Sequence, residues 1–189
     1  MQTKDNTVTL PTHDQDFSAL HDKIDDLENR SRRSNVLFFG VDDKEPSETW
    51  DVTEGLVREF CASKLGITVD SVARAHRLGR FVQDKKRPII AKFFNDREIE
   101  AILNKGPKLK NTPFSISRDY SLPVREKRRK LAHFKKSVAK EGDRCRIIFT
   151  KLFVNDDIYV WDTENECAVR LNSRDNVHAA LTPASDTSE

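Results

Sequence analysis

The stretch from Val72 to Lys92 constrains the fold most, because it predicts two β-strands joined by a basic loop. On the first strand Arg74 and His76 alternate with alanines, so their side chains should share one face of a sheet. On the second strand Lys92 should lie on the face opposite Phe93. A sheet with one apolar face and one face edged by Arg and Lys suits a polyanion, although an ordinary solvated polar face would give the same pattern.

Charge is distributed unevenly along the 189 residues. From residue 72 to residue 151 there are 23 Lys and Arg against 8 Asp and Glu, a net charge of +15. The remaining residues carry 10 against 23, a net charge of −13, so the overall +2 hides a strong segregation. Such segregation indicates a nucleic acid or an anionic membrane as partner. Nucleic acid is favoured, because the basic segment predicted to be helical has no Trp and few large apolar residues to insert into lipid.

The cysteines and the N-terminal sequence indicate the cellular setting. Three cysteines without a CxxC pair predict reduced, buried thiols in a cytosolic or nuclear protein. The first residues show no basic patch followed by an apolar core, so no signal peptide is predicted. No apolar run approaches the ~18 residues of a membrane span, so no membrane partner is expected.

The N-terminal part predicts a disordered segment and then a helix. Residues 1–16 are polar and acidic and are predicted to be disordered. Residues 17–34 repeat apolar side chains every seven positions, with Phe17 and Ile24 at one heptad position and Leu20 and Leu27 at the other. About two heptads are marginal for an isolated helix, so two interpretations stay open. The helix is either the end of a coiled coil or an amphipathic helix packed on its own domain.

Residues 35–120 predict a domain in which strands and helices alternate. The elements are, in order, a strand at 36–41, a helix at 49–65, strands on either side of the basic loop, a helix at 97–105 and a strand at 114–120. Ser47 or Thr49 should cap the first helix and Asp96 the second. The βαββαβ order predicts a ferredoxin-like α+β domain with both helices on one face of a four-stranded antiparallel sheet, a plan that RNA-recognition modules share.

The third predicted strand of this domain lacks the aromatic residues on which RNA-recognition modules stack bases. Its sequence, RPIIAKFF, begins with Arg87 but has Ile89 and Ala91 at the stacking positions. Phe38 or Phe39 on the first strand is the remaining stacking candidate. Binding should therefore depend on phosphates, which makes it sensitive to salt and weakly selective for sequence.

Residues 121–181 predict a second, smaller domain. A basic helix should run from Ser121 to about residue 141, with Val124 and Leu131 on its inward face. A hairpin of strands at 144–154 and 158–161 should follow, then a short helix at 173–181 and a disordered tail at 182–189. Trp161 is expected in the core of this domain, although one of the domain's aromatic residues could contact a base.

The basic strands, loop and helix supply the candidate phosphate ligands. The pattern alone indicates Arg74, Arg77, Arg80, Lys85, Lys86, Arg87, Lys92, Arg118, Arg125, Arg128, Arg129 and Lys136. No catalytic residue, metal ligand or cofactor is predicted, because the five histidines are scattered and the HExxH, P-loop and GxSxG motifs are absent. The sequence therefore favours a binding protein over an enzyme.

A series of short motifs along the chain resembles one known family. The motifs are, in order, NRSRRSNVLFFGV, ARAHRLGR, RPIIAKFF, SRDYS, VREKRRKL and CRIIFTKLFV. Over about residues 22–171 this series resembles the first-open-reading-frame protein of long interspersed nuclear element retrotransposons. The resemblance implies a parallel trimeric coiled coil, an RNA-recognition-like domain and a basic C-terminal domain.

The resemblance also implies a function and further site residues. Such proteins bind single-stranded RNA or DNA, coat the element's RNA in cytoplasmic ribonucleoprotein particles and act as nucleic-acid chaperones; a nuclear location is the alternative. It adds Arg32, Arg33 and Asn35 at the junction after the coiled coil, and Lys105 at the end of the second helix. It also places Phe149 where the family has a Tyr. The alternative function is a protein-interaction scaffold, assembled through its N-terminal helix, with a degenerate RNA-binding surface.

Overall fold

A computed structural model describes residues 13–171 of the chain. Over these residues the protein has a mixed α+β fold with four α-helices and two antiparallel sheets. The chain divides between Ser121 and Leu122 into two units, each with its own sheet. Within residues 13–171, no helix is long and apolar enough to cross a membrane.

The N-terminal helix, α1, spans His13–Arg32. It starts four residues earlier than predicted, so residues 13–16 are helical rather than disordered, while residues 1–12 lie outside the described part. Asn29 ties the helix to the end of the first unit: its Nδ2 donates to Ser121 Oγ at 2.9 Å, and its Oδ1 accepts from the Ser121 backbone N–H at 3.1 Å. The four heptad side chains, Phe17, Leu20, Ile24 and Leu27, are 52% to 63% exposed.

The first unit is built on a four-stranded antiparallel sheet. Its strands are β1 (Asn35–Phe39), β2 (Val72–Arg77), β3 (Ile89–Phe93) and β4 (Ser115–Arg118), arranged in the order β2-β3-β1-β4. Helix α2 (Trp50–Phe60) follows β1, and helix α3 (Asp96–Asn104) follows β3. The last strand is shorter than the predicted 114–120.

The two faces of this sheet differ in what covers them. On one face Phe38 lies opposite Ile89 and Ile116, and apolar side chains of both helices complete a single core that includes Phe60 and Ile102. The Phe38 and Phe60 rings meet edge to face at 5.4 Å, so Phe38 is a core residue and not a stacking platform. The other face, here called the second sheet face, carries Asn35, Leu37, Phe39, Arg74, His76, Ile90, Lys92, Ser115 and Ser117. The predicted alternation of Lys92 and Phe93 is confirmed.

Local sequence signals determine where the helices of the first unit start and end. Thr49 caps α2, because its extended backbone lets the hydroxyl accept from the Val52 N–H at 3.4 Å. A wider π-helical turn, Cys61–Leu65, continues α2 and ends at Gly66, whose φ of 71° favours glycine. The predicted cap of α3 is wrong by one residue: Asn95, not Asp96, has the extended backbone, and its Oδ1 accepts from the Arg97 N–H at 3.0 Å.

The second unit contains one helix and a four-stranded antiparallel meander. The elements are α4 (Leu122–Val138), β5 (Cys145–Ile148), β6 (Lys151–Val154), β7 (Asp157–Asp162) and β8 (Cys167–Leu171). The predicted strand at 144–154 is in fact two strands, because the chain reverses at Phe149, which has a left-handed φ of 47°. Strand β8 was not predicted. Leu131 of α4 packs against Leu152 of β6 to form the core, and the predicted helix at 173–181 lies outside the described residues.

The cysteines do not share one environment. Cys61 is fully buried, and desolvation, with a smaller contribution from Glu98, raises the pKa of its thiol to about 12. Cys145 is half-buried and Cys167 is exposed, and all three are free thiols. The prediction that all three are buried is therefore wrong for Cys167, which lies on β8, the strand that the sequence did not reveal.

Candidate nucleic-acid interface

One row across the second sheet face brings two cations together. Arg74 on β2 is the cross-strand partner of Lys92 on β3, and Lys92 is in turn the partner of Asn35 on β1. Side chains so paired lie about 5 Å apart at Cβ, where like charges repel each other. Arg74 is exposed and Lys92 half-exposed. A bound phosphate would relieve this repulsion, which makes the row the strongest candidate for a phosphate site in the first unit.

The loop between β2 and β3 exposes further cations. Arg80 and Lys85 are exposed, and their side chains form no hydrogen bond or ion pair with other residues in the 13–171 range. Lys86 is exposed too, but it pairs with Asp42 and lowers the pKa of that carboxyl. Such an exposed ion pair adds little to stability, so Lys86 can exchange its partner for a phosphate.

Arg77, one of the predicted phosphate ligands, is enclosed by the protein instead of lying on the surface. Its side chain is 2% exposed and pairs with the 6% exposed Glu48, with Nε to Oε2 at 2.9 Å and Nη2 to Oε1 at 3.1 Å. It also donates to the carbonyls of Val41, Arg87 and Asp42. Every N–H group of the guanidinium therefore faces a protein acceptor. Arg77 joins the loop after β1 to the end of β2, which is a structural role.

Arg87 is a second predicted ligand that is used internally. It forms a bidentate pair with the buried Asp43, with Nε to Oδ2 at 2.8 Å and Nη2 to Oδ1 at 2.9 Å. Its remaining donors reach the carbonyls of Glu45 and Pro46. Hydrogen bonding from Arg87 lowers the pKa of the Asp43 carboxyl despite burial. Both arginines thus hold residues 41–48 against the β2–β3 hairpin.

The junction residues implied by the resemblance are only partly available. Arg32 Nη1 and Asn35 Nδ2 both donate to Asp119, at 2.9 Å and 3.0 Å. Arg32 also pairs with Glu28. Arg33, in contrast, is exposed, and its side chain has no partner among the described residues.

Arg118 is directed away from the second sheet face. It is the cross-strand partner of Val36, whose side chain lies in the core, so both point to the face that carries the helices. There Arg118 pairs with Glu100 of α3. Arg118, a predicted ligand, therefore does not share a sheet face with Arg74 and Lys92.

Helix α4 presents the cations of the second unit. Arg125, Arg129 and Lys136 are exposed and lack partners among the described residues. Arg128 is instead tethered to β5–β6, because its Nη1 donates to the carbonyl of Phe149 at 2.7 Å. Phe149 itself is exposed, in the turn where the resemblance implied a Tyr.

The sixteen predicted side chains thus divide into two groups. Nine form no hydrogen bond or ion pair within the described chain: Arg33, Arg74, Arg80, Lys85, Lys92, Lys105, Arg125, Arg129 and Lys136. The other seven are held by intramolecular contacts, and of these Arg77 and Arg87 are the most completely enclosed.

Sequence reasoning missed two features that a ligand could use. Phe94, directly after β3, is 80% exposed, yet it reads as the end of an apolar strand. Lys130 lies with its Nζ 5.2 Å from the centre of the Trp161 ring. That pairing joins α4 to β7, and no periodicity in the sequence indicates which strand residue meets which helix residue.

Comparison with known proteins gave no match, either to models of protein families or to curated protein sequences. Function therefore has to be inferred from the residues and their geometry.

Proposed function

We propose that this protein binds single-stranded nucleic acid, RNA in the first place, through phosphate contacts of low sequence specificity. The observation that carries the proposal is the row of Arg74 and Lys92, two adjacent cations without an internal acid partner. Cationic side chains without a partner in the described chain also occur in the β2–β3 loop and along α4, so each unit has cations that can bind a phosphate backbone. Fast, reversible phosphate contacts of this kind suit a nucleic-acid chaperone and the coating of RNA in ribonucleoprotein particles.

The strand arrangement supports an RNA-recognition-like domain at residues 35–120. The element order β1-α2-β2-β3-α3-β4 and the sheet order β2-β3-β1-β4 leave one face free of the two core helices. RNA-recognition modules bind RNA on that face. Together with the ordered motifs, this supports descent from the first-open-reading-frame proteins of long interspersed nuclear elements.

The N-terminal helix would assemble several copies of the chain. The heptad side chains of α1 are exposed along one stripe. The C-terminal end of the helix is held by contacts of Asn29 with Ser121 and of Arg32 with Asp119. We infer that the stripe packs against α1 of other copies in a parallel coiled coil, with a homotrimer as the expected state. Assembly would also multiply weak phosphate contacts, because linked sites bind a long strand with higher avidity.

The experiment is fluorescence anisotropy of a labelled single strand at several salt concentrations, with duplex DNA in parallel. Replacing Arg74 and Lys92 by Ala should weaken binding similarly for all sequences and make the log–log salt dependence less steep by about 1.4. The matched control replaces Arg97 and Lys110, two exposed cations away from the row, and should leave the slope nearly unchanged.

Two results would contradict the proposal. Absence of binding at low salt would remove nucleic acid as the partner, and the scaffold alternative would then stand on the exposed stripe of α1. An equal effect of both double variants would mean that only net charge matters and that the row is not a site.

A further inference from the structure

A cavity of about 390 Å³ lies in the second unit between α4 and β7. It is lined by Arg129, Lys130, His133, Phe134, Ser137 and Trp161. Its volume is within the range of ~300–1,000 Å³ that is usual for small-molecule sites. Cationic side chains at an aromatic wall are the combination that binds a nucleotide, because the ring stacks on the base and the cations meet the phosphate.

The aromatic wall is covered by a side chain that can move. Lys130 Nζ lies 5.2 Å from the centre of the Trp161 ring, and the same Nζ is 3.1 Å from Glu166 Oε1. Glu166 is largely exposed, so this ion pair is weak and readily exchanged. A phosphodiester can replace this exposed carboxylate as the partner of Lys130, since it also carries a negative charge and offers acceptor oxygens for a charge-assisted hydrogen bond.

Trp161 also carries an unsatisfied donor. Its indole Nε1–H is buried and finds no acceptor among residues 13–171. Buried donors are nearly always paired, so an unpaired one calls for an explanation. An acceptor brought by a ligand is such an explanation, and a nucleotide carries acceptor oxygens on its sugar and phosphate.

We propose that this cavity is a subsite for one unpaired nucleotide. The base takes the place of Lys130 on the face of the Trp161 ring, a sugar or phosphate oxygen of the nucleotide accepts from Nε1–H at the edge of the ring, and Arg129 and Lys130 bind the phosphate. The inference rests on the proposed binding of single strands and deepens it. The cavity would distinguish single strands from duplexes, because an unpaired base can enter it and a base that is paired and stacked inside a duplex cannot.

The intrinsic fluorescence of Trp161 tests the subsite directly. The chain has two Trp residues, and Trp50 is exposed, so Trp50→Phe leaves Trp161 as the only reporter with little change to the fold. Oligo-uridylate and adenosine monophosphate should each quench Trp161 emission to saturation. Inorganic phosphate at equal ionic strength and duplex DNA should not quench it.

Anisotropy on the same samples separates this inference from the proposed function. Binding of the oligonucleotide without quenching of Trp161 would overturn the subsite and leave the proposed function in place. Absence of oligonucleotide binding would overturn both.

Variants on α4 show whether the cations act as a site. Arg129→Ala with Lys130→Met leaves the core residue Trp161 in place and should weaken the quenching by adenosine monophosphate at least several-fold. Lys140→Ala removes an exposed cation outside the cavity and is the control. Equal weakening per charge removed, in the double variant and in the control, would overturn the subsite, because it would show a general field effect. Trp161→Phe keeps a ring but removes Nε1–H, and it should reduce the preference for single strands over duplex.

Discussion

Replacing Arg77 by Ala should destabilise the first unit strongly and should not act as a loss of one phosphate contact. The change leaves the buried carboxylate of Glu48 without its cation and the carbonyls of Val41 and Arg87 without a donor. Breaking a buried ion pair on one side costs about 3–5 kcal/mol. For a domain of this size, each kcal/mol lowers Tm by about 4 °C, so Tm should fall by about 12–20 °C.

The matched control is Arg74→Ala, three residues earlier on the same strand. Because Arg74 is exposed and unpaired within the described chain, its removal should change the free energy of unfolding by less than about 0.5 kcal/mol while weakening nucleic-acid binding. Urea unfolding and anisotropy on both variants give the two quantities. A loss below about 1 kcal/mol for Arg77→Ala, with binding weakened as in Arg74→Ala, would refute the structural role of Arg77.

A double-variant cycle identifies the source of the loss. Glu48→Gln removes the charge that Arg77 neutralises but keeps an acceptor oxygen. If an unpaired buried carboxylate causes most of the destabilisation, the double variant should be markedly more stable than the sum of the two single losses predicts. Strict additivity would mean that the backbone carbonyls, not the ion pair, carry the effect.

Three further outcomes follow from the described contacts. Because Arg87 lowers the pKa of Asp43 in the folded state, this pair contributes stability above the ordinary Asp pKa of about 3.9 and loses it as the pH falls through the lowered value. Asp43→Asn should therefore be less stable at neutral pH but lose less stability on acidification. Urea unfolding at several pH values measures this, and an equal loss of stability on acidification in the variant and in the unmutated protein would contradict it. Ile24→Asp should lower the oligomeric state in analytical ultracentrifugation without lowering the Tm of the first unit, because the side chain is exposed in one copy; a fall in Tm would instead place it in a core. Cys167 should react quickly with a thiol reagent at neutral pH, whereas Cys61 should react only on unfolding, which labelling and mass spectrometry would show.

The sequence predicted the first unit better than the second, and the reason is turn chemistry. Helices with clear start and stop residues, such as Thr49 and Gly66, separate β1 from β2 and β3 from β4, and the basic loop separates β2 from β3, so the number of strands followed from the pattern. In the second unit β5 and β6 join through Phe149, a residue that rarely adopts a left-handed backbone and gave no turn signal. The two strands therefore looked like one.

The candidate site shows a different limit. Alternation along β2 correctly put Arg74 on the face opposite the core. It gave no warning that Arg77, at the end of the same strand, would be enclosed by residues 41–48, because that contact joins positions about thirty residues apart. Local patterns predict which face a side chain occupies, but they do not predict whether a distant acid will neutralise it.

This limit changes how the charge of the basic span should be interpreted. Arg77, Lys86 and Arg87 pair with Glu48, Asp42 and Asp43, acids that lie outside residues 72–151. Lys130 likewise pairs with Glu166 from outside the span, while Asp119 inside the span pairs with Arg32 from outside it. Among the described residues, these ion pairs therefore bring four negative charges and one positive charge to the span, and its +15 becomes +12 locally.

The salt dependence of binding can count the cations that remain available. If only the nine unpaired candidates contact phosphates, the log–log slope for a single strand should be about −6, whereas contacts from all fifteen candidate cations would give about −10. A slope near −10 would mean that the internal ion pairs open on binding, and Arg77→Ala would then have to weaken binding as well as folding. A slope near −6 that is unaffected by Glu48→Gln would mean that the buried ion pairs stabilise the fold and do not contact phosphates.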